Sequence, residues 1–278
     1  MHKQRNFLFH AYMVLFLIYL LVPLLVMGGA AFNDSKLPTI VPWKGLTDKW
    51  FIAMWNDVRI WISFRNTFLV ALAVVALAVP IGTAGAIMVN SISGRVRSVL
   101  YGMMVAPILI PGVVIGISTL LFWNNVHVGS GLHLSVLGQV SYIASFVMLL
   151  VLARLQSFDQ GLEEAALDLG ATHSQVMRRI LLPHLYPAMG AGAAIAFFQS
   201  IENFNVTLFT RGGADTLTVY VFSKVRSGIT PTINALALLL ILFTLSMAGF
   251  YEVSRRRKAA LEAAREAEGR RAEEAALA

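Results

Sequence analysis

Four strongly polar side chains, Gln199, Glu202, Asn203 and Asn205, stand in the largely apolar run FFQSIENFNVTLF (Phe197–Phe209). A carboxylate inside a membrane helix costs roughly 2.5–3.5 kcal/mol on insertion scales, so it faces a cavity or a partner. Stepping 100° per residue from Gln199 puts Glu202, Asn203 and Asn205 at about 300°, 40° and 240°. Phe197, Ile201, Phe204 and Leu208 fall between about 140° and 200°. One face is polar and the other apolar. The polar stripe is expected to line a polar path or cavity, and the alternative is a hydrogen-bonded structural cluster between helices.

A second constellation is LEEAALDLGATHSQVMRRILLP (Leu162–Pro183), acidic in its first half and basic in its second. Ser157 and Gln160 have capping-box spacing, and Asp159 competes as N-cap. Leu162, Ala165, Ala166 and Leu169 share one helical face, with Glu163, Glu164 and Asp168 largely off it. Gly170 supplies a left-handed stop. Thr172 and Gln175 repeat the capping-box pattern, and Val176, Met177, Ile180 and Leu181 carry the apolar side to Pro183. The pattern predicts two short helices meeting at a glycine, each too short to be stable without a surface to pack on.

Other chemistries leave no trace. The chain has no GxxxxGK[ST], HExxH, GxSxG or EF-hand loop, so it holds no P-loop and no cofactor is expected in it. His127 and His133, six residues apart, read as solvated side chains. Absence of cysteine excludes disulfides, thiolate metal sites and a thiol nucleophile.

The elements that position these residues are membrane helices. Of 278 residues, 57% are hydrophobic and 13% charged, with mean hydropathy +0.70; a soluble domain carries about a quarter charged residues. Six continuous Ala/Leu/Val-rich runs have the ~20 residues a span needs: 11–32, 66–90, 100–123, 134–155, 187–209 and 233–253. The first is too long for a signal peptide's apolar core and reads as an uncleaved anchor. Fourteen of the 22 lysines and arginines fall in the segments that are cytoplasmic if both termini are inside, which is the orientation that positive charge favours. The net charge of +7 therefore reads as membrane topology, with no nucleic-acid partner.

Residues 1–253 are read as one transmembrane domain. Residues 254–278 are read as a charged cytoplasmic helical tail, broken or weakened at Gly269, with the run Arg255–Lys258 set against anionic headgroups of the membrane lipid. Trp50, Trp55 and Trp61 suit a membrane–water boundary, or a contact surface for an outer partner. LTVYVFSKV, within 211–231, suits a short interfacial helix. Pro107, Pro111, Gly112 and Gly116 permit bending and close packing, and gating is the alternative.

EAALDLGATHSQVMRRILLP resembles the EAA loop of binding-protein-dependent ABC importer permeases: Glu164-Ala165-Ala166, three residues, Gly170, nine residues, then Ile180-Leu181-Leu182-Pro183. FNDSK, RNTFLVAL, APILIPGVVIGIS and TLTVYVFSKVRSGITPTINAL are similar to spermidine/putrescine-type permeases, and the likeness covers nearly everything before the tail. It implies an all-α, six-span type I transmembrane subunit in a bacterial inner membrane. A cytoplasmic hairpin would insert into a separate ATPase, with Glu164 engaging that ATPase and Gly170 making the turn. The implied partners are a homologous second permease, two ATPase subunits carrying ATP and Mg, and a periplasmic or lipid-anchored solute-binding protein. Polyamine permeases tend to show paired aspartates where this chain has Glu202-Asn203. A smaller amine, an amino acid or an aminophosphonate thus stands beside a polyamine as the solute. An ion-coupled secondary transporter, with Glu202 as proton or cation site, is the alternative of a different class.

Overall fold

A computed structural model describes residues 2–228 and 230–277, with side chains for residues 8–228, 230–257, 259 and 260. Of the tail, Ala278, the Lys258 side chain and the side chains from 261 onward lie outside the described residues. The described residues form helices α1 (His2–Phe32), α2 (Lys49–Asn56), α3 (Val58–Ser91), α4 (Gly94–Leu109), α5 (Gly112–Asn125), α6 (Leu132–Leu155), α7 (Gln160–Asp168), α8 (His173–Val176), a π-helical turn (Met177–Leu181), α9 (Leu182–Ile201), α10 (Asn205–Thr210), α11 (Leu217–Ser227) and α12 (Pro231–Leu277). Five stretches are long and apolar enough to cross a membrane: Leu8–Phe32, Val58–Ser91, Leu132–Leu155, His173–Ile201 and Pro231–Arg257. The pair α4 and α5 supplies a sixth when taken as one broken span.

The chain divides into two compact units, Val58–Ser223 and the two ends, Met1–Asp57 with Lys224–Ala278. In the larger unit the core lies where α3, α6 and α9 meet. Val70, Val74, Ala78, Ala86 and Val89 pack with Ile143, Val147, Met148, Val151, Leu155, Leu185 and Ala196. α3 and α9 bury a stripe on one side and leave leucine, isoleucine and phenylalanine exposed on the other, as helices facing lipid do, whereas α6 is the central helix and exposes only Leu137 among its large hydrophobic residues. In the end unit α12 packs on α1 and α2. The connection after α1 is organised by buried Asn33. Its amide donates to Thr39 O (2.8 Å) and Pro42 O (3.0 Å), and its Oδ1 accepts from Lys44 N (2.8 Å). Trp50 donates to Asn33 O at 2.9 Å, whereas Trp55 and Trp61 stay exposed.

Three expected elements differ. The run 100–123 is bent by 104° between α4 and α5; Pro111 confines Ile110 to an extended conformation (φ −84°, ψ 129°), which ends α4. The run 187–209 is not one helix: α9 stops at Ile201 and α10 starts at Asn205. The tail is not broken at Gly269, because α12 continues through it to Leu277; a helix-interior glycine costs only about 1 kcal/mol. The segment expected as an interfacial helix is α11.

Candidate functional site

The charged hairpin begins at Asp159, whose carboxylate accepts from Gly161 N at 2.9 Å. The competing Ser157–Gln160 box does not form, since Ser157 Oγ donates back to Arg154 O (2.8 Å). α7 ends in bonds from Gly170 N to Leu167 O (2.9 Å) and from Ala171 N to Ala166 O (3.0 Å). Gly170 sits at φ +85°, a region an L side chain enters only with strain. Thr172 and Gln175 then close a full capping box: Thr172 N donates to Gln175 Oε1 (2.8 Å) and Gln175 N to Thr172 Oγ1 (3.3 Å). The second arm does not stop at Pro183. α8, the π turn and α9 run as one helical stretch from His173 to Ile201. A proline ring strikes the carbonyl four residues back in a regular helix, and the π turn that ends at Leu181, two residues before Pro183, changes that register. The hairpin is thus continuous with a membrane span.

The hairpin's crown is uncovered. Glu164, Ala165, Gly170 and Pro183 are exposed, while Ala166 and Ile180 are half-buried. Leu169, next to the turn, is 89% exposed. Glu163, Glu164 and Asp168 form no ion pair among the described residues.

The second part of the site is the gap between α9 and α10. Asn203, only 9% exposed, fills it. Its Oδ1 accepts from Val206 N (3.2 Å), Thr207 N (3.3 Å) and Thr207 Oγ1 (3.3 Å), which satisfies the free N–H groups at the start of α10. Its Nδ2 donates to Tyr142 OH at 2.6 Å, and its carbonyl accepts from Thr218 Oγ1 at 3.2 Å. Gln139, fully buried on α6, donates to Thr207 Oγ1 (2.9 Å) and accepts from Ser200 Oγ (2.6 Å). Non-helical backbone at membrane depth needs such replacement partners. α10 lies on the glycine face of α5, where a Cβ on Gly116 would stand 3.1 Å from Val206 Cα and one on Gly112 3.0 Å from Asn205 Cβ. Close packing, not open space, occupies this bend.

The four polar residues of this run are therefore not one stripe. Because the helix breaks, the wheel's phase is not carried from Gln199 to Asn205. Asn203 turns into the protein, Glu202 and Asn205 are exposed, and Gln199 is half-buried. Gln139, Tyr142, Ser200 and Thr207 were not anticipated. The spacing of Gln139 and Tyr142, three apart in an apolar span, was their available signal. No group of acids and histidines among the described residues could hold a metal.

These parts belong to a known class. Residues 78–260 match the family "binding-protein-dependent transport system inner membrane component", and the chain belongs to that family. It is a permease subunit of an ABC importer, a transport subunit of a multi-pass inner-membrane type. It is 34% identical over 241 residues, 84% of either chain, to the putrescine transport system permease protein PotI of Escherichia coli K12. To the spermidine/putrescine transport system permease protein PotC of Haemophilus influenzae it is 28% identical over 245 residues, 88% of this chain and 95% of the other. The fold is also similar to that of a chain in a bacterial ABC transporter involved in the import of the acidic polysaccharide alginate. That match has TM-score 0.72 and 13% identity, and covers 90% of this chain and 96% of that one.

Proposed function

We propose that this chain forms, with a homologous second permease, the membrane path of an importer for a polyamine or a related small amine. Two separate ATPase subunits holding ATP and Mg drive it, and a periplasmic or lipid-anchored binding protein delivers the solute. Both termini lie in the cytoplasm. What carries the amine reading is the 34% identity to a putrescine permease over 84% of the chain, together with a carboxylate, Glu202, exposed at the helix break. An amino acid or aminophosphonate is the competing solute; family membership sets the ion-coupled transporter aside.

The hairpin is the coupling element. Glu164 engages the ATPase, Ala165 and Ala166 allow close approach, and Gly170 holds the turn. Ile180 and Pro183 join the docked knob to α9 through the π turn. In the path, Glu202 meets the solute's positive charge, and Gln199 and Asn205 flank it. Asn203 contributes by holding the break open rather than by facing the solute.

The test is uptake of labelled putrescine by proteoliposomes containing this chain with its co-encoded ATPase and binding protein. ATP-dependent accumulation is expected. Accumulation no greater than in empty liposomes, with an acidic or neutral solute carried instead, removes the amine reading.

A further inference from the structure

Between Val58 and Phe158 the chain carries five arginines and neither an aspartate nor a glutamate. Two of the five, Arg95 and Arg97, lie in the first turn of α4, and Arg154 lies in the last turn of α6. Arg154 is occupied by a neutral partner, His184 O, at 3.2 Å. Arg97 is exposed and has no ion pair among the described residues. The basic run after α12 is different: Arg255 and Arg256 fold back onto Glu252 at 2.9 and 2.7 Å.

Arg97 also borders a cavity of about 490 Å³ between α4 and α6, which it lines with Ser98, Tyr101, Leu149, Leu152 and Gln156. The two helices are pinned further along, where Ser145 Oγ donates to Met104 O at 2.5 Å. The groove lies toward the ends that carry Arg97 and Gln156. Its lining is graded. Arg97, Ser98 and Gln156 are polar and stand at the helix ends. Tyr101 is one turn in, about 6 Å along the axis, and Leu149 and Leu152 lie deeper into the span. Cation, hydroxyl and amide at the rim, an amphipathic ring below and aliphatic walls beneath reproduce the profile of a phospholipid from phosphate to acyl chain.

The geometry points to a binding site for one anionic glycerophospholipid in this α4–α6 groove, its phosphate on Arg97 with Ser98 and Gln156, its acyl chain along Leu149 and Leu152. The charge argument favours a lipid over a protein surface: the unmatched cation sits at the membrane boundary and the groove continues into the apolar layer. The site does not depend on which solute the importer carries.

Native mass spectrometry of the detergent-purified full chain, titrated with phosphatidylglycerol or phosphatidylcholine of identical acyl chains, tests this. The expected result is about fivefold better retention of phosphatidylglycerol, the preference one basic residue near an anionic surface provides. Arg97→Lys keeps that preference and Arg97→Gln loses it. Arg95→Gln, outside the groove, leaves it intact. Circular dichroism and gel filtration establish that each variant is folded. Equal retention of the two lipids by the unmodified chain overturns the site, as does an undiminished preference in Arg97→Gln. An equal loss in Arg95→Gln means diffuse charge and no groove. Displacement of the lipid by inorganic phosphate at equal concentration assigns the pocket to free anion instead. Protection of Ser98→Cys from maleimide only within the assembled transporter assigns it to a subunit.

Discussion

Asn203 and Glu202 are neighbours with opposite burdens. Asn203 spends both ends of its amide inside the protein, on the N–H groups of α10 and on Tyr142. Asn203→Ala leaves those groups without partners, at about 1–3 kcal/mol. Thermal unfolding of the purified chain should fall clearly for it and less for Tyr142→Phe, which removes a single acceptor. Equal Tm values for both variants and the parent would remove Asn203 from its structural role. Glu202 makes no such contacts and is exposed, so Glu202→Gln should leave Tm unchanged. In reconstituted transport it should raise the KM for an amine by about tenfold, the loss of one charge-assisted bond. An unchanged KM would mean that the solute passes elsewhere.

Among the elements, the hairpin and the two bends are where the helices change direction. Gly170 at φ +85° has open space around it, so a side chain there meets no clash and pays only backbone strain, about 1–2 kcal/mol. Gly170→Ala is therefore expected to fold, with hairpin geometry and transport-coupled ATP hydrolysis in the assembled complex as the affected properties. Full stimulation of ATPase by loaded binding protein in Gly170→Ala would count against a coupling role that needs this turn. Gly116→Leu differs in kind. Its side chain would enter the backbone of α10, and overpacking of this sort costs typically 1–3 kcal/mol. That substitution should lower Tm before any transport assay is run.

For the whole molecule, the proposed orientation fixes which side each end occupies, and the lack of cysteine in the sequence makes single-cysteine labelling background-free. With the bent α4–α5 pair as one span, Ser174→Cys in the hairpin and Gly129→Cys after α5 lie on opposite faces. An impermeant maleimide added to spheroplasts should label Gly129→Cys and leave Ser174→Cys unlabelled until the membrane is opened. External labelling of Ser174→Cys would end the coupling proposal, because no ATPase could reach the hairpin. A chain purified alone should hydrolyse no ATP, for want of any P-loop.

The hairpin could be read residue by residue because its determinants are local. A cap needs an Asp or Thr within a few residues of its N–H, and a left-handed stop needs a glycine in place; Asp159, Thr172, Gln175 and Gly170 all lie in the segment they shape. The same holds for the spans, since length and apolarity are properties of contiguous chain, and for the bend at Ile110–Pro111, where proline acts on its neighbour. The break at 202–204 contains no proline or glycine, and its neighbours would propagate a helix. Asn203 itself caps the start of α10, and Gln139 and Tyr142, some 60 residues earlier, hold the side chains of Ser200, Asn203 and Thr207 in place around the break. Hydrogen bonds between distant helices leave no mark on either helix's own periodicity, and so the polar stripe of the sequence became, in three dimensions, one buried amide and one exposed acid.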